Sequence, residues 1–151
     1  MPNLKTTFID DLQAAQAALR ARVDGIPETD WEGASANEGW TNKDLLAHLA
    51  SIDERLRGQV PCAYGRQPWP SDTIDEYNER ALARRRGSTV PALREELDRE
   101  SAATMEFVEG LSEADLAHRF DHPRRGDVSL EEWLRIIPNH IQSHLGDFRA
   151  G

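Results

Sequence analysis

The chain has 151 residues, of which 38% are hydrophobic and 30% are charged; this length suits one domain, expected to span 1–151, that buries about two-thirds of its unfolded surface. A net charge of −9 argues against nucleic-acid partners, because binding to the phosphate backbone needs a basic surface. No apolar run approaches the roughly 18 residues of a membrane span, and the N-terminus lacks a secretory apolar core. The single cysteine, Cys62, excludes an internal disulfide and favours a cytoplasmic location.

The first predicted helix runs over about 6–24. Gly25 and Pro27 end it. Its apolar residues recur at steps of three and four and form one stripe: Phe8, Leu12, Ala15, Leu19, Val23 and Ile26.

A second helix is expected to begin at Thr41, where Thr41 and Asp44 have the spacing of a capping box. Its stripe runs through Leu45, Leu49, Ile52, Leu56 and Val60, and it ends near Gly58 and Pro61. His48 lies at the edge of this stripe. The side chain of His48 is therefore predicted to face the core or a crevice beside it.

The middle of the chain is predicted to cross over the bundle. Residues 60–71 are rich in Pro and Gly and indicate a long loop. A shorter helix follows over 72–86, and Ser88 or Thr89 caps a third long helix. Residues 121–127 indicate a turn-rich connection. The expected fold class is all-α: a four-helix bundle with a long crossover between the second and third long helices.

The last helix opens with a capping box formed by Ser129 and Glu132. Pro138 lies inside it and is expected to bend it just before His140. His140 and His144 fall on the apolar face of this helix.

Three histidines carry the main functional hypothesis. His140 and His144 are four residues apart, so their side chains lie on one helix face, roughly 5–6 Å apart at Cβ. His48, from the second helix, is the candidate third ligand. Three imidazoles with open positions suit a catalytic divalent ion such as Zn, Ni or Fe. Ordinary buried or interface histidines are the alternative.

The residues around this site each have an ordinary role as well. Asp147 can accept a hydrogen bond from an imidazole or serve as a fourth ligand, or it can be a surface acid. Asp44 is expected chiefly as a helix cap, with support of His48 as the alternative. Trp40 is expected in the core or in the pocket wall.

The remaining reactive or charged side chains are predicted to have no catalytic role. Cys62 is expected to be a loop or core thiol rather than a nucleophile. His118 and His122 are expected to be solvated. Arg124 and Arg125 are expected to form a solvated basic turn, with a contact to an anionic substrate as the alternative.

The segment Gly39-Trp40-Thr41-x-x-Asp44-x-x-x-His48-Leu49, followed by His140-x-x-x-His144-Leu145, resembles the DinB-like (DinB/YfiT-like) four-helix bundle superfamily. That superfamily includes the metal-binding N-terminal domains of mycothiol-dependent maleylpyruvate isomerases. The resemblance implies a divalent metal held by His48, His140 and His144. The front segment is also similar to the DfsB-like bundles, some of which protect against reactive natural products, but the double histidine favours the metal-binding branch.

The resemblance implies a metal-dependent enzyme that acts on a small molecule. The expected reaction is transfer of a low-molecular-weight thiol, or hydrolysis, at an electrophilic compound. Two other functions stay open: a metal-independent small-molecule binding or self-resistance protein of the DfsB-like type, and a structural module that forms a homodimer through an apolar patch.

Overall fold

In the computed structural model, residues 3–150 are described, so the predicted domain limits at 1 and 151 lie outside the described residues. Four long segments form the bundle: α1 (Leu4–Asp24), α2 (Asn42–Gly58), α5 (Val90–Glu109), and the pair α7 (Leu130–Leu134) and α8 (Ile136–His144). Helix α1 packs on α5 and α8, and α2 packs on the same two helices. The all-α class and the bundle with its crossover are thereby confirmed.

The crossover between α2 and α5 contains α3 (Val60–Ala63) and α4 (Ile74–Arg85). Helix α4 packs against α2, and the hydroxyl of Tyr77 in α4 donates to the carbonyl of Ser51 at 2.9 Å. The sequence predicted the α4 helix but treated α3 as loop. Pro61 near the start of α3 suits a helix N-terminus, where its missing N–H has no helical partner.

The helix starts follow from local capping. Thr41 Oγ1 accepts from the Asp44 N–H, and the Asp44 carboxylate accepts from the Thr41 N–H. Ser129 and Glu132 form the same reciprocal pair at α7. Thr89 rather than Ser88 caps α5. Both predicted capping boxes are present, and each fixes the direction in which a site-bearing segment enters the bundle.

The core fills the space between the four long segments. The largest fully buried side chains come from α1, α2, α5 and the α7–α8 segment, with one from α6 (Glu113–Ala117) and one from the chain that follows α8; they are Phe8, Leu12, Leu19, Leu45, Leu46, Leu93, Leu116, Leu130, Trp133, Leu134, Ile137 and Phe148. Within residues 3–150, none of the helices has the length and apolar character needed to cross a bilayer.

The last segment differs from the single bent helix that the sequence predicts. The helix is interrupted at Arg135, between α7 and α8, and not just before His140. Pro138 explains the position, because its ring clashes with the carbonyl four residues earlier, that of Leu134, and cannot donate to it. His140 and His144 therefore share the unbroken helix α8, whose last turn gives way to a 3-10 turn at Leu145–Asp147.

The predicted turn-rich connection is a β-hairpin. Strands β1 (Arg119–His122) and β2 (Gly126–Ser129) pair antiparallel, with His122 opposite Gly126. Gly126 has a φ of 71°, the left-handed conformation that closes a three-residue hairpin loop. These strands are short and rich in charged residues, so the sequence shows too little alternation of apolar and polar residues to predict a hairpin.

Candidate metal centre

Helices α2 and α8 run antiparallel, which brings the three predicted histidines together. Near one end the side-chain amide of Asn42 donates to the carbonyl of Arg149 at 2.6 Å. One and a half turns further along α2, His48 Nε2 lies 2.9 Å from His140 Nε2. His144 Nε2 lies 3.1 Å from the same His140 atom, and ligand atoms of all three lie within 4.8 Å of one another.

His48 is buried, His140 and His144 are half-buried, and the pKa values of His48 and His140 are lowered, which favours their neutral rings. Burial, and then the neighbouring His140 and His144, lower the pKa of His48 to about 3. Burial and then His144 lower the pKa of His140 to about 4. Neutral imidazoles leave one ring nitrogen of each with a lone pair, which is the form that binds metal ions.

Linear hydrogen bonds among three neutral rings cannot satisfy both close contacts. His144 Nδ1 lies 2.9 Å from Asp147 Oδ2, and an ionised carboxylate only accepts, so this nitrogen carries the proton and Nε2 carries the lone pair. His140 Nε2 then either donates its one proton, which cannot point at both neighbours, or accepts from His48 and meets the lone pair of His144. Ligand nitrogens of all three rings lie within 4.8 Å of one another, and such a set of nitrogens suits a cation.

The distances fit a divalent ion. Ligands at 2.0–2.1 Å with angles between octahedral and tetrahedral values are separated by about 2.8–3.4 Å. The two observed Nε2 separations of 2.9 and 3.1 Å lie in this range. With three protein ligands, further coordination positions would stay open, as in catalytic sites.

Two neighbours orient the imidazoles. Asp147, which the sequence offered as an acceptor for an imidazole, accepts from His144 Nδ1–H. Asn78, on α4, was not predicted: its Oδ1 and the Nδ1 of His48 are both buried without a hydrogen-bond partner among residues 3–150. Asn78 nevertheless favours the protonated form of His48. A small rotation would pair Nδ1–H with Oδ1 and leave His48 Nε2 free to bind an ion.

The remaining predicted site residues separate into two groups. Trp40 lies against the site, with its ring centroid 4.9 Å from that of His48. The Asp44 carboxylate accepts from the Thr41 N–H at the start of α2, which is the capping role.

Cys62 is buried, with its Sγ 3.4 Å from the carbonyl of Pro68. Burial raises the pKa of its thiol, so it is a poor nucleophile. This matches the core thiol expected from the sequence.

The prediction that His118 and His122 are solvated is wrong. His118 stacks on Tyr64 with ring centroids 4.1 Å apart, and its Nε2 lies 2.9 Å from the carbonyl of Ala63. His122 is half-buried, with its ring 4.7 Å from that of Trp69. Both contacts arise because the crossover packs on the hairpin, which a local sequence pattern does not reveal.

Comparison with known protein families identifies the family of this chain. The family model of the DinB superfamily matches residues 11–148. The chain belongs to the DinB superfamily. No curated protein sequence matches this member significantly.

Two crystal structures have the same fold as this DinB superfamily member. One is a histidine-to-alanine mutant of a mycothiol-dependent maleylpyruvate isomerase, with 17% sequence identity and a TM-score of 0.81 over 100% of this chain. The other is the mycothiol-dependent maleylpyruvate isomerase itself, with 18% identity and a TM-score of 0.81 over 99% of this chain. This chain spans 65% and 64% of the length of those two proteins.

Proposed function

We propose that this DinB superfamily member is a metal-dependent enzyme that transfers a small thiol to, or hydrolyses, an electrophilic small molecule. The observation that carries the proposal is the convergence of three imidazoles, with Nε2 contacts of 2.9 and 3.1 Å. One proton on His140 Nε2 cannot make a linear hydrogen bond at both contacts, whereas one divalent ion such as Zn, Ni or Fe can bind all three rings together.

The chain's own residues would hold and orient the donor set. His48, His140 and His144 are the proposed ligands. Asp147 fixes the proton of His144 on Nδ1, and Asn78 can do the same for His48. A divalent ion held there would lower the pKa of a water molecule or a thiol and so supply a nucleophile near neutral pH. Trp40, packed on the His48 ring, shields one side of the site from bulk water.

The nucleophile is proposed to come from outside the protein. The one cysteine is buried, its thiol faces a backbone carbonyl, and its pKa is raised. A thiol co-substrate is favoured over water because the structural neighbours are described as mycothiol-dependent. Hydrolysis by water is the second arm of the proposal.

The test uses untagged protein stripped with a chelator and reloaded with Zn, Ni or Fe(II). Transfer of mycothiol or bacillithiol to an electron-poor aryl chloride or an epoxide, and hydrolysis of the epoxide, are measured before and after reloading. His48→Ala should lower the rate by about a hundredfold or more, while Cys62→Ala should leave it within about threefold.

His118→Ala is the matched control, since it removes a half-buried imidazole that lies outside the cluster. Full activity in the stripped protein would contradict the proposal, because catalysis would then not depend on the ion. Loss of activity on Cys62→Ala alone would also contradict it, because the nucleophile would then belong to the protein.

A further inference from the structure

A concave site lies outside the histidine cluster, along the same helices α2 and α8. It is a cavity of about 480 Å³ between the C-terminal half of α2, the crossover segment before α4, the hairpin loop and the start of α8. We call it the hairpin pocket; the lining residues that matter here are Arg55, Trp69, His122, Arg124, Arg125 and Trp133. Its volume is in the range that holds a small organic molecule.

The walls of the hairpin pocket are flat and aromatic. Trp69 and Trp133 have ring centroids 6.1 Å apart at an interplanar angle of 67°. The ring of His122 packs near both, with its centroid 4.7 Å from that of Trp69 and 6.3 Å from that of Trp133. Burial, and then Arg125 and Arg124, lower the pKa of His122, which favours its neutral ring. Such walls suit a planar, apolar body that stacks or packs edge-on.

The mouth of the hairpin pocket is cationic. Arg124 and Arg125 are exposed in the hairpin loop, and within residues 3–150 neither forms an ion pair with an acid. The acid that lines the pocket, Asp72, is already bound by Arg55 through two hydrogen bonds of 2.9 and 3.1 Å, and by Arg80. In a chain of net charge −9, two unpaired cations at a cavity mouth attract an anionic ligand.

The hairpin pocket lies on the same two helices as the histidines. Arg55 lies seven residues after His48, which is the same face of α2 about 10 Å further along its axis. Ile136, which also lines the pocket, lies one turn before His140 in α8. A ligand held in the pocket would therefore lie on the side of α2 and α8 that carries the three imidazoles.

We propose that the hairpin pocket binds an aromatic carboxylate, with its ring against Trp69, His122 and Trp133 and its carboxylate at Arg124 and Arg125. As the assignment of a substrate class, this rests on the function proposed above. As the assignment of a binding site it does not, because none of these side chains belongs to the histidine cluster. Binding can therefore be measured on protein from which the ion has been removed.

The test titrates chelator-stripped protein with 2-naphthoate, with its neutral analogue 2-naphthamide, and with inorganic phosphate, and follows the indole N–H signals of Trp69 and Trp133 by NMR. Saturable binding of 2-naphthoate is expected, at least tenfold tighter than that of 2-naphthamide or phosphate. The double change Arg124→Gln and Arg125→Gln should weaken it at least tenfold, and Trp69→Leu at least fivefold. Salt should weaken it as well, because the cations are exposed.

The matched control is the double change Arg84→Gln and Arg99→Gln. These two arginines are also exposed and line a different cavity, so the change in net charge is the same. The control should bind 2-naphthoate within twofold of the unaltered protein. Equal weakening by both doubles, equal binding of 2-naphthamide, or tighter binding of phosphate would each overturn the proposal.

The result also separates the two proposals. Binding of 2-naphthoate that depends on Arg124 and Arg125 supports the proposed ligand of the hairpin pocket, whatever the activity assay shows. If the stripped and reloaded proteins are equally inactive, that result counts only against the proposed enzymatic function. The opposite result would be metal-dependent turnover of compounds without a carboxylate, unchanged by the arginine substitutions, together with no binding of 2-naphthoate. That result would contradict the proposed ligand of the hairpin pocket and support the proposed enzymatic function.

Discussion

Helix α2 carries two buried polar clusters, on different faces, and only one of them is complete. On the face toward α5, Thr104 Oγ1 donates to Asp53 Oδ2 at 2.8 Å. Arg57 donates to Thr104 Oγ1 at 2.8 Å and to the Glu100 carboxylate at 2.5 Å. Donors and acceptors alternate, so the Asp53 cluster ties α2 to α5 without any added group.

The histidine cluster, on the face toward α8, lacks this alternation. Its Nε2 atoms face one another at 2.9 and 3.1 Å, and Nδ1 of His48 has no partner among the described residues. A buried polar cluster that stays unsatisfied lowers stability. The Asp53 cluster thus serves the fold, and the contrast supports the proposal that the histidine cluster binds a ligand.

The largest expected effect separates the two clusters by metal affinity. The double change His140→Ala and His144→Ala should lower the affinity for Zn or Ni by about a thousandfold or more, because one imidazole cannot hold the ion. Titration calorimetry on untagged protein measures it. Thr104→Val, which breaks the Asp53 cluster instead, should leave the affinity within about threefold. Equal losses from both variants would remove the distinction.

The loss of ligand support should have an intermediate effect. Asp147→Asn removes the carboxylate that accepts from His144 Nδ1–H, and loss of such a partner lowers metal affinity about 10–100-fold. Competition with a chromophoric chelator measures the change. The control is Asp10→Asn, an exposed acid of α1 away from the site, which should leave the affinity unchanged. If Asp147→Asn behaves like this control, Asp147 does not orient the ligand.

The smallest expected effect concerns the pH dependence of the Asp53 cluster. Burial raises the pKa of Asp53 from 3.8 to about 6, although Thr104 and Arg57 act in the opposite direction and Glu100 adds to the rise. The folded state therefore holds the proton more tightly than the unfolded state. The contribution of Asp53 to the free energy of unfolding is therefore fully present below pH 3.8 and is lost as the pH rises through about 6.

Asp53→Asn removes this titration while keeping an acceptor for Thr104. Relative to the unaltered protein, the variant should gain about 1–3 kcal/mol of unfolding free energy between pH 4 and pH 7. Urea unfolding across that range measures the difference in unfolding free energy between the two proteins. The titration of the histidines cancels in this difference, because both proteins carry the same histidines. Asp10→Asn is again the control. A difference that does not vary with pH would show that folding does not raise the pKa of Asp53.

The sequence predicted those parts that depend on local rules. The spacing of His140 and His144 places both on one helix face, and the pairs Thr41 with Asp44 and Ser129 with Glu132 mark the helix starts. The apolar stripes of α1 and α2 likewise predicted which faces are buried, and the fold class and superfamily are confirmed.

The parts that the sequence missed depend on packing between distant segments. Asn78 reaches His48 only because α4 folds back over α2, and nothing at Asn78 itself signals that contact. Trp69 and His122 meet because the crossover packs on a hairpin whose strands carry mainly polar and charged residues. The sequence did not reveal the Asp53 cluster, because Thr104 and Glu100 lie on α5 and only Arg57 is close to Asp53 in the chain.

The most direct test of the central claim is a crystal structure of the untagged protein loaded with Zn, with anomalous scattering used to locate the ion. We expect one ion bound by His48, His140 and His144 through Nε2 at roughly 2.0–2.1 Å, with Asp147 still hydrogen-bonded to His144 and Asn78 turned toward His48. An ion bound elsewhere, or three imidazoles that stay unbound at saturating Zn, would contradict the account.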